Sequence, residues 1–383
     1  MLINRMIRLL ALVVSFAFLS GCRHESLVAS KAKTIRVDSV YAWLTHMQQP
    51  NGLLLSSEGG QNVSLYDNAL AALVFTSYGD YHRAEKIFDF FDSRVDAELK
   101  VSPGGFGQMR TLDGLPVDNQ PRRWLGDNAW LLIALNNYHH LAKNTKYQHL
   151  ASELTRWIVS LQDTDGGIWG GFNADGSRIS KIAEGNLDAF NAIEGYTDFH
   201  KNLLYHFSQV RWDQTDRLLI AWADNPPYKY AMDLHPWGYC VFEDFPVSVL
   251  TQANRYLTTQ RATATNKMIT GYSFDQDRDV VWLEGTGQMV VAFIKAGNES
   301  EAKKYLRQMK KNLVQSPTFP HSFGLPYTSN YGSSYADDVL WTGVDTNPAV
   351  SSTAWYLFGH MRFDPFQLGY VKNIPMKDKF WIP

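Results

Sequence analysis

Two kinds of hydrophobic pattern alternate along the chain. In one, a turn with glycine and an acidic residue leads into an alanine-rich run that is apolar on every side. In the other, apolar residues recur at the three- and four-residue spacing of a helix with one polar face, as with Leu154, Trp157, Ile158 and Leu161. The first kind predicts buried helices, and the second predicts helices with one face in solvent.

The buried-helix pattern occurs six times. Asp67, Asp127 and Asp188 mark the first three copies and stand 60 and 61 residues apart. The other copies are predicted at 245–256, after Glu284, and at 348–358. Outer helices are predicted at 35–48, 82–93, 149–162, 203–223, 262–269 and 299–313. Inner helices that alternate with outer ones at a regular period predict an all-α fold, an (α/α)6 toroid with Gly-rich loops or small hairpins between helices.

Two local motifs resemble a known superfamily. Gly126-Asp127-Asn128-Ala129-Trp130 and the apolar run after it resemble the aspartate-bearing inner helix of endo-acting glycan hydrolases with the six-hairpin fold. Ser57-Glu58-Gly59-Gly60 resembles the turn that carries the general acid in the family-8 cellulase group. The resemblance is to the six-hairpin glycosidase superfamily, without one family singled out, and it implies a toroid fold and a glycan substrate.

Acidic residues stand at the predicted starts of the inner helices. Glycoside hydrolysis needs two carboxyl groups, one to protonate the leaving oxygen and one to act as nucleophile or activate water. In a toroid all inner helices begin at the same face, so these acids are expected to converge. The predicted catalytic residues are Glu184, Glu284, Asp127, Asp188, Glu58 and Asp67, and Glu243, Asp244 and Asp345 are expected at the same face. The alternative for each aspartate is a helix cap.

Aromatic residues flank the same turns. Rings beside carboxylates suit a sugar, because its C–H faces stack on the ring while its hydroxyls bond the acids. The predicted substrate-binding residues are Tyr66, Trp124, Trp169, Trp237, Tyr272, Trp282 and Trp341. The alternative is that each belongs to the core, and this is the expectation for Trp130.

Charge and composition exclude several classes. The 36 Lys and Arg against 38 Asp and Glu lack the basic excess of a nucleic-acid binder. The 11 His are scattered without metal-ligand spacing. Asp275, Asp277 and Asp279 are spaced as in a calcium loop, but Val280 replaces its glycine and no Glu follows at the twelfth position. This segment is interpreted as a polar turn, and no metal or other cofactor is expected.

The N-terminus has the pattern of an export signal. Arg5 and Arg8 precede a short apolar run, and Leu19-Ser20-Gly21-Cys22 then resembles the lipobox of bacterial lipoproteins. The resemblance implies a signal peptide at 1–21, lipidation of Cys22, a tether at 22–34 and one toroid domain at 35–383. By the same resemblance, Arg23 favours the outer membrane, with the protein facing the periplasm. The expected protein is a monomer that meets the membrane through its lipid.

The sequence therefore predicts a glycoside hydrolase that cleaves a poly- or oligosaccharide. Three alternatives stay open: a non-catalytic glycan-binding lipoprotein, a polysaccharide lyase, and a terpenoid-cyclase-like toroid. The last is suggested by Ser160-Leu161-Gln162 followed by Asp165 and Trp169, although the Asp-x-Asp-Asp motif of that group is absent.

Overall fold

A computed structural model describes residues 37–117, 121–222, 229–332 and 343–382. Cys22 and Trp341 lie outside the described residues. The inner helices are α2 (Leu65–Ser77), α4 (Leu125–Ala142), α6 (Ala183–Ala192), α8 (Leu234–Val241), α10 (Leu283–Lys295) and α12 (Val350–Met361). Each contacts the next, and α12 contacts α2. This closed ring of six confirms the all-α (α/α)6 toroid.

The outer helices alternate with the inner ones. They are α1 (37–47), α3 (Tyr81–Asp92), α5 (Gln148–Ser160), α7 (Asp198–Val210), α9 (Ser248–Gln252) and α11 (Glu299–Lys311). In α11 the buried residues are Ala302, Tyr305 and Met309, which follow the three- and four-residue spacing of a single apolar stripe. In α2, by contrast, nearly every position is buried. The two predicted patterns thus correspond to the two layers of the toroid.

The connections divide the toroid into two different ends. Links from an inner to an outer helix are short, and they lie at what we call the distal end. Links that lead into the next inner helix are long and lie at what we call the cavity end. They contain five antiparallel strand pairs in the described residues: Val63–Ser64 with Met109–Arg110, Arg123–Trp124 with Gly171–Phe172, Trp212–Asp213 with Leu218–Leu219, Leu257–Arg261 with Met268–Tyr272, and Val314–Gln315 with Phe323–Gly324.

The fourth helical hairpin differs from its prediction. The inner helix is α8, whereas 245–256 holds the short outer helix α9 and a 3-10 helix. Pro236 and Gly238 made α8 resemble a loop, but a proline is tolerated in a first helical turn because its missing N–H has no partner there. The prediction of a helix at 262–269 is wrong, because that stretch lies in the hairpin of strands Leu257–Arg261 and Met268–Tyr272.

Helix α7 also ends earlier than predicted. It stops at Val210, and a strand pair follows where the sequence suggested helix up to residue 223. Within the described ranges, no helix has both the length and the apolar character that crossing a bilayer requires.

Candidate active site

A cavity of about 230 Å³ opens at the cavity end, among the first turns of the inner helices. Five acidic residues line it, and they come from four helices: Asp127, Glu184, Asp188, Asp233 and Glu284. Residues far apart in sequence meet here because all inner helices begin at this end. Their positive N-terminal dipoles also favour negative charge at this place.

The helix positions explain how these side chains converge. Glu184 and Glu284 are both the second residue of their helix, and Asp188 follows Glu184 by one turn. Gly126 allows a close approach between helices, because a Cβ there would lie 3.2 Å from Asp188 Oδ2. Asp127 is the third residue of α4, so it is not the cap of that helix. The capping alternative therefore does not account for these acids.

Many polar atoms around the cavity lack partners. The carboxylate oxygens Asp127 Oδ2, Glu184 Oε2, Asp188 Oδ1 and Asp233 Oδ1 have no hydrogen-bond partner among the described residues. The indole nitrogens of Trp237 and Trp282 are in the same condition within the described part of the chain. Buried polar groups are normally satisfied, because an unmade hydrogen bond costs about 1–3 kcal/mol. Such a concentration points to a polar ligand.

Two of the acids are held strongly towards their protonated form. Burial raises the pKa of Asp188 well above its usual range, and the charges of Asp233, Glu184 and Asp127 raise it further. Burial likewise raises the pKa of Asp233, with added effects from Glu184 and Glu284. Burial also raises the pKa of Glu184, against a lowering effect of Arg211. Crowded carboxyls of this kind lose their protons one after another, because each charge that forms raises the pKa of its neighbours.

Glu284 has a different environment. Burial raises its pKa to about 7, but hydrogen bonds from Tyr66, Ser351 and Gln288 oppose the rise. The Tyr66 hydroxyl donates to Glu284 Oε1 at 2.6 Å. Burial also raises the pKa of Asp127 to about 7, with Gln108 and Arg122 lowering it. These neighbours stabilise the charged carboxylates of Glu284 and Asp127. The cavity therefore holds some acids that lose a proton more easily than others.

Aromatic side chains form the walls. Tyr66, Trp124, Trp237 and Trp282 line the cavity, as the sequence predicted, and Phe274 and Tyr327 add to them. Trp130, which was expected in the core, also lines it. Its ring packs edge-on against Tyr66, with centroids 5.4 Å apart. Flat apolar surfaces next to hydrogen-bonding acids are what an amphipathic ligand such as a sugar requires.

Solved structures of similar shape come from carbohydrate enzymes. A glycosidase variant matches with a TM-score of 0.62 at 15% identity, over 88% of this chain and 98% of that chain. A cellobiose 2-epimerase from Spirochaeta thermophila DSM 6192 matches with a TM-score of 0.59 at 14% identity, over 88% and 96%. A glycosidase solved in complex with glucose matches at 0.56 and 14%, over 88% and 98%. These solved structures share the (α/α)6 toroid fold of this chain. No family model matches this sequence, and no curated protein matches it significantly.

Two predicted catalytic residues do not line the cavity. Glu58 lies between α1 and the last strand pair, where Trp43 Nε1 donates to its Oε2 at 2.9 Å and Ser316 Oγ donates to its Oε1 at 2.7 Å. Its carboxylate is thus occupied by the protein itself. Asp67 is fully buried beside the cavity, and burial raises its pKa well above the usual range, opposed mainly by Ser56.

Several other predicted residues are also absent from the cavity wall. Trp169 packs under Lys181, whose Nζ lies 4.7 Å from the ring centroid. Tyr272 is fully buried and packs against Tyr305, with the two ring planes tilted by 50°. Glu243 and Asp244 follow α8 at the distal end, because α8 and not 245–256 is the inner helix. Asp345 lies in a turn before α12 and does not line the cavity.

Asp233 is the acid that sequence reasoning missed. It is the N-cap residue of α8 and so stands slightly earlier than Glu184 and Glu284, which lie within the first turns of their helices. Its signal was present in Asp233-Leu234-His235-Pro236-Trp237, where an acid precedes an apolar run with tryptophan. The proline within that run concealed the helix start.

Proposed function

We propose that this chain is a glycoside hydrolase acting on a poly- or oligosaccharide. The observation that carries the proposal is the set of five acids, four of them buried and four with an unpaired oxygen among the described residues, in one cavity walled by Trp124, Trp237 and Trp282. The carbohydrate enzymes of the same fold support it. A terpenoid substrate fits this cavity less well, because an isoprenoid offers no hydrogen bonds to so many polar atoms.

In this proposal Glu284 is the charged partner. It attacks the anomeric carbon or removes a proton from the water that does so. The Tyr66 hydroxyl, 2.6 Å from its Oε1, favours its ionised form. Glu284 is therefore ready to act as a base or nucleophile once the pH exceeds about 7.

Glu184 is the proposed proton donor. It occupies the same helix position in α6 as Glu284 does in α10, and it is the least buried of the crowded acids. Its Oε2 has no partner among the described residues, so it is free to meet a glycosidic oxygen. As the bond from that oxygen to the anomeric carbon breaks, the oxygen takes the proton from Glu184.

Asp188 and Asp233 are positioning residues for this step. Their carboxyls interact with Glu184, and electrostatic interactions between titrating groups are mutual. Whatever negative charge they carry favours the protonated form of Glu184. Without this crowding, a glutamic acid would lose its proton at neutral pH.

The test is a panel of oligosaccharides and polysaccharides incubated with the mature chain. New reducing ends are measured by a colorimetric assay, and proton NMR follows the first anomer formed. We expect release of reducing ends from at least one glycan by the wild type and none by the Glu284→Gln variant. Unsaturated uronic products would instead identify a lyase, and retention of intact glycan without turnover would identify a binding protein.

A sugar epimerase is the second candidate. The specific observation is that solved cellobiose 2-epimerases share the fold over 84–88% of this chain. An epimerase inverts one carbon and releases no fragment, so mass and reducing-end content stay constant. Incubation of a disaccharide in D₂O separates the two: a hydrolase gives monosaccharides, while an epimerase that exchanges the removed proton with solvent gives an isomer with deuterium at one carbon.

We further propose that a lipid on Cys22 holds the chain at a membrane with the cavity facing away from it. Near the start of α1, Tyr41 stacks on Tyr78 at 4.0 Å and its hydroxyl donates to Asp80 Oδ2 at 2.9 Å, both at the distal end. The described chain therefore begins opposite the cavity. Metabolic labelling with an alkyne fatty acid should mark the wild type and a Cys240→Ser control, but not Cys22→Ser. A labelled Cys22→Ser variant would contradict the anchor.

A further inference from the structure

One wall of the cavity is formed by a loop with an unusual density of acids. The loop runs from 273 to 282, between the strand Met268–Tyr272 and helix α10. Its second residue, Phe274, and its last, Trp282, both line the cavity. The rings of these two residues meet at 80° with centroids 5.3 Å apart. The conformation of the loop therefore determines the position of two wall residues.

Three aspartates of this loop turn their carboxylates together. One oxygen each from Asp275, Asp277 and Asp279 can be chosen so that all three lie within 4.8 Å of one another. Calcium binds oxygens at 2.3–2.6 Å, so two oxygens on one ion lie at most about 5 Å apart. The separation of the three carboxylates is thus compatible with a shared ion.

Burial supplies a second sign of a missing partner. Asp275 is only 8% exposed, and its Oδ1 has no hydrogen-bond partner among the described residues. A buried carboxylate without a partner is costly unless a cation or donor compensates it.

The hydroxyl of Tyr256, near this loop, is a second buried polar group without a partner among the described residues. Tyr256 is fully buried, and its hydroxyl has no hydrogen-bond partner in the described part of the chain. The backbone N–H of Ser273, the first residue of the loop, donates to the carbonyl of Tyr256 at 2.8 Å, which places Tyr256 beside the loop. This group is no member of the acidic cluster. An ion with its bound water would suit both observations.

We propose that Asp275, Asp277 and Asp279 bind one divalent cation with the oxygen preference and size of Ca²⁺. The ion would join the three side chains and so fix the loop between Phe274 and Trp282. Other atoms of the loop are already held, since Thr258 Oγ1 and Gln260 Nε2 both donate to the carbonyl of Arg278. Water completes the coordination that a three-carboxylate site leaves open. The site differs from the polar turn that the sequence suggested.

Isothermal titration calorimetry of the chelator-treated chain with CaCl₂ tests this site directly. We expect one Ca²⁺ per chain with a Kd of roughly 10⁻⁶ to 10⁻³ M in 150 mM KCl. Asp277→Asn and Asp279→Asn should each weaken binding by about 10-fold or more. Asp277 is exposed, so its substitution leaves the fold intact, which circular dichroism verifies.

Asp165→Asn is the matched control. Asp165 belongs to another acidic loop, but its carboxylate is already paired with Lys181 Nζ at 2.7 Å. This variant should bind Ca²⁺ like the wild type. The proposal is overturned if the wild type takes up no Ca²⁺ at 1 mM, if both loop variants keep wild-type affinity, or if Mg²⁺ binds equally well. Since binding is read without a glycan, the result is independent of the hydrolase proposal.

Discussion

The two ends of the toroid hold opposite charges, and helix polarity explains both. At the cavity end, where the inner helices begin, five acids meet. At the distal end, Lys295 Nζ donates to the carbonyl of Cys240 near the end of α8, and Lys372 Nζ donates to the carbonyl of Ile193 just after α6. Anions suit helix N-termini and cations suit C-termini. Charge placement alone therefore does not distinguish a functional site from ordinary helix stabilisation.

The two ends do differ in whether their charged side chains have hydrogen-bond or ion-pair partners within the protein. The distal end has the larger cavity, about 580 Å³ against about 230 Å³. Its lysines nevertheless have acceptors within the protein: Lys379 Nζ lies 2.8 Å from Asp244 Oδ2, and Lys295 and Lys372 donate to the two carbonyls named above. The acids of the smaller cavity repel one another and keep unpaired oxygens. The proposed active site is therefore located by its unpaired polar atoms and not by the volume of its cavity.

The largest expected effect is the loss of turnover in the Glu284→Gln and Glu184→Gln variants. Each amide keeps the shape of the side chain but cannot serve as base or proton donor, so kcat should fall by about 10³-fold. Steady-state kinetics on the glycan identified by the panel measures this. Thermal unfolding of Glu184→Gln should show a Tm no lower than that of the wild type, because the acid that it replaces has an oxygen without a partner among the described residues.

Glu58→Gln is the control for that comparison. Glu58 is also a buried glutamate at a turn before an inner helix, but the protein satisfies its oxygens. Its kcat should stay within about 2-fold of the wild type, while the free energy of unfolding falls by about 1–2 kcal/mol through weaker hydrogen bonds. Equal inactivation of the Glu58 and Glu184 variants would refute the distinction between satisfied and unsatisfied acids.

The next effect concerns the crowding of the acids. In Asp233→Asn the pair of carboxyls formed by Asp233 and Glu184 loses the mutual repulsion that raises the pKa for its last proton, so the proton that remains on Glu184 is lost at lower pH. The basic limb of the kcat/KM profile should therefore move to lower pH by about one unit, while the rate on the plateau changes little. A uniform loss of rate with an unmoved basic limb would indicate a merely structural role for Asp233.

The ring itself was predictable from the sequence, whereas the site was predictable only where helix starts were recognised. Inner helices such as α2 and α4 are recognisable in the sequence, because their apolar runs are longer than those of a surface helix and have no polar face. Glu184 and Glu284 followed from that pattern because each precedes a glycine at the same helix position. Asp233 was missed because Pro236 interrupts the apolar pattern of α8, although tertiary packing still makes that segment helical.

The predicted site residues that lie away from the cavity do so for a common physical reason. Glu58 and Trp169 stand in loops, and a loop's direction depends on contacts that sequence spacing does not contain. Glu58 turns towards Trp43, and Trp169 turns under Lys181, both away from the cavity. For Trp124 and Trp282, by contrast, the next residue begins an inner helix, so the helix itself fixes their direction.

Tyr66→Phe tests whether Glu284 differs from the other acids of the cavity in acting as the base. Loss of the hydroxyl removes a donor to the Glu284 carboxylate, so the pKa of Glu284 rises above about 7. A hydrogen bond to a charged group contributes about 1.5–3 kcal/mol, which corresponds to roughly one to two pH units. The acidic limb of the pH–rate profile should move up by that amount. An acidic limb that stays in place would show that Glu284 is not the base.

The smallest effect is expected at the distal end, in Lys372→Met. Turnover should not change, because Lys372 is remote from the cavity. Burial lowers the pKa of Lys372 to about 7, well below its value in an unfolded chain. Between about pH 7 and 10 the unfolded chain therefore binds a proton that the folded chain has released, so this group makes the free energy of unfolding rise with pH. From pH 7 to 9 the rise is about 1–2 kcal/mol for the wild type relative to the variant, after allowance for relaxation around the amine. Urea unfolding at several pH values measures it, and parallel pH dependences would mean that the distal lysine keeps an ordinary pKa.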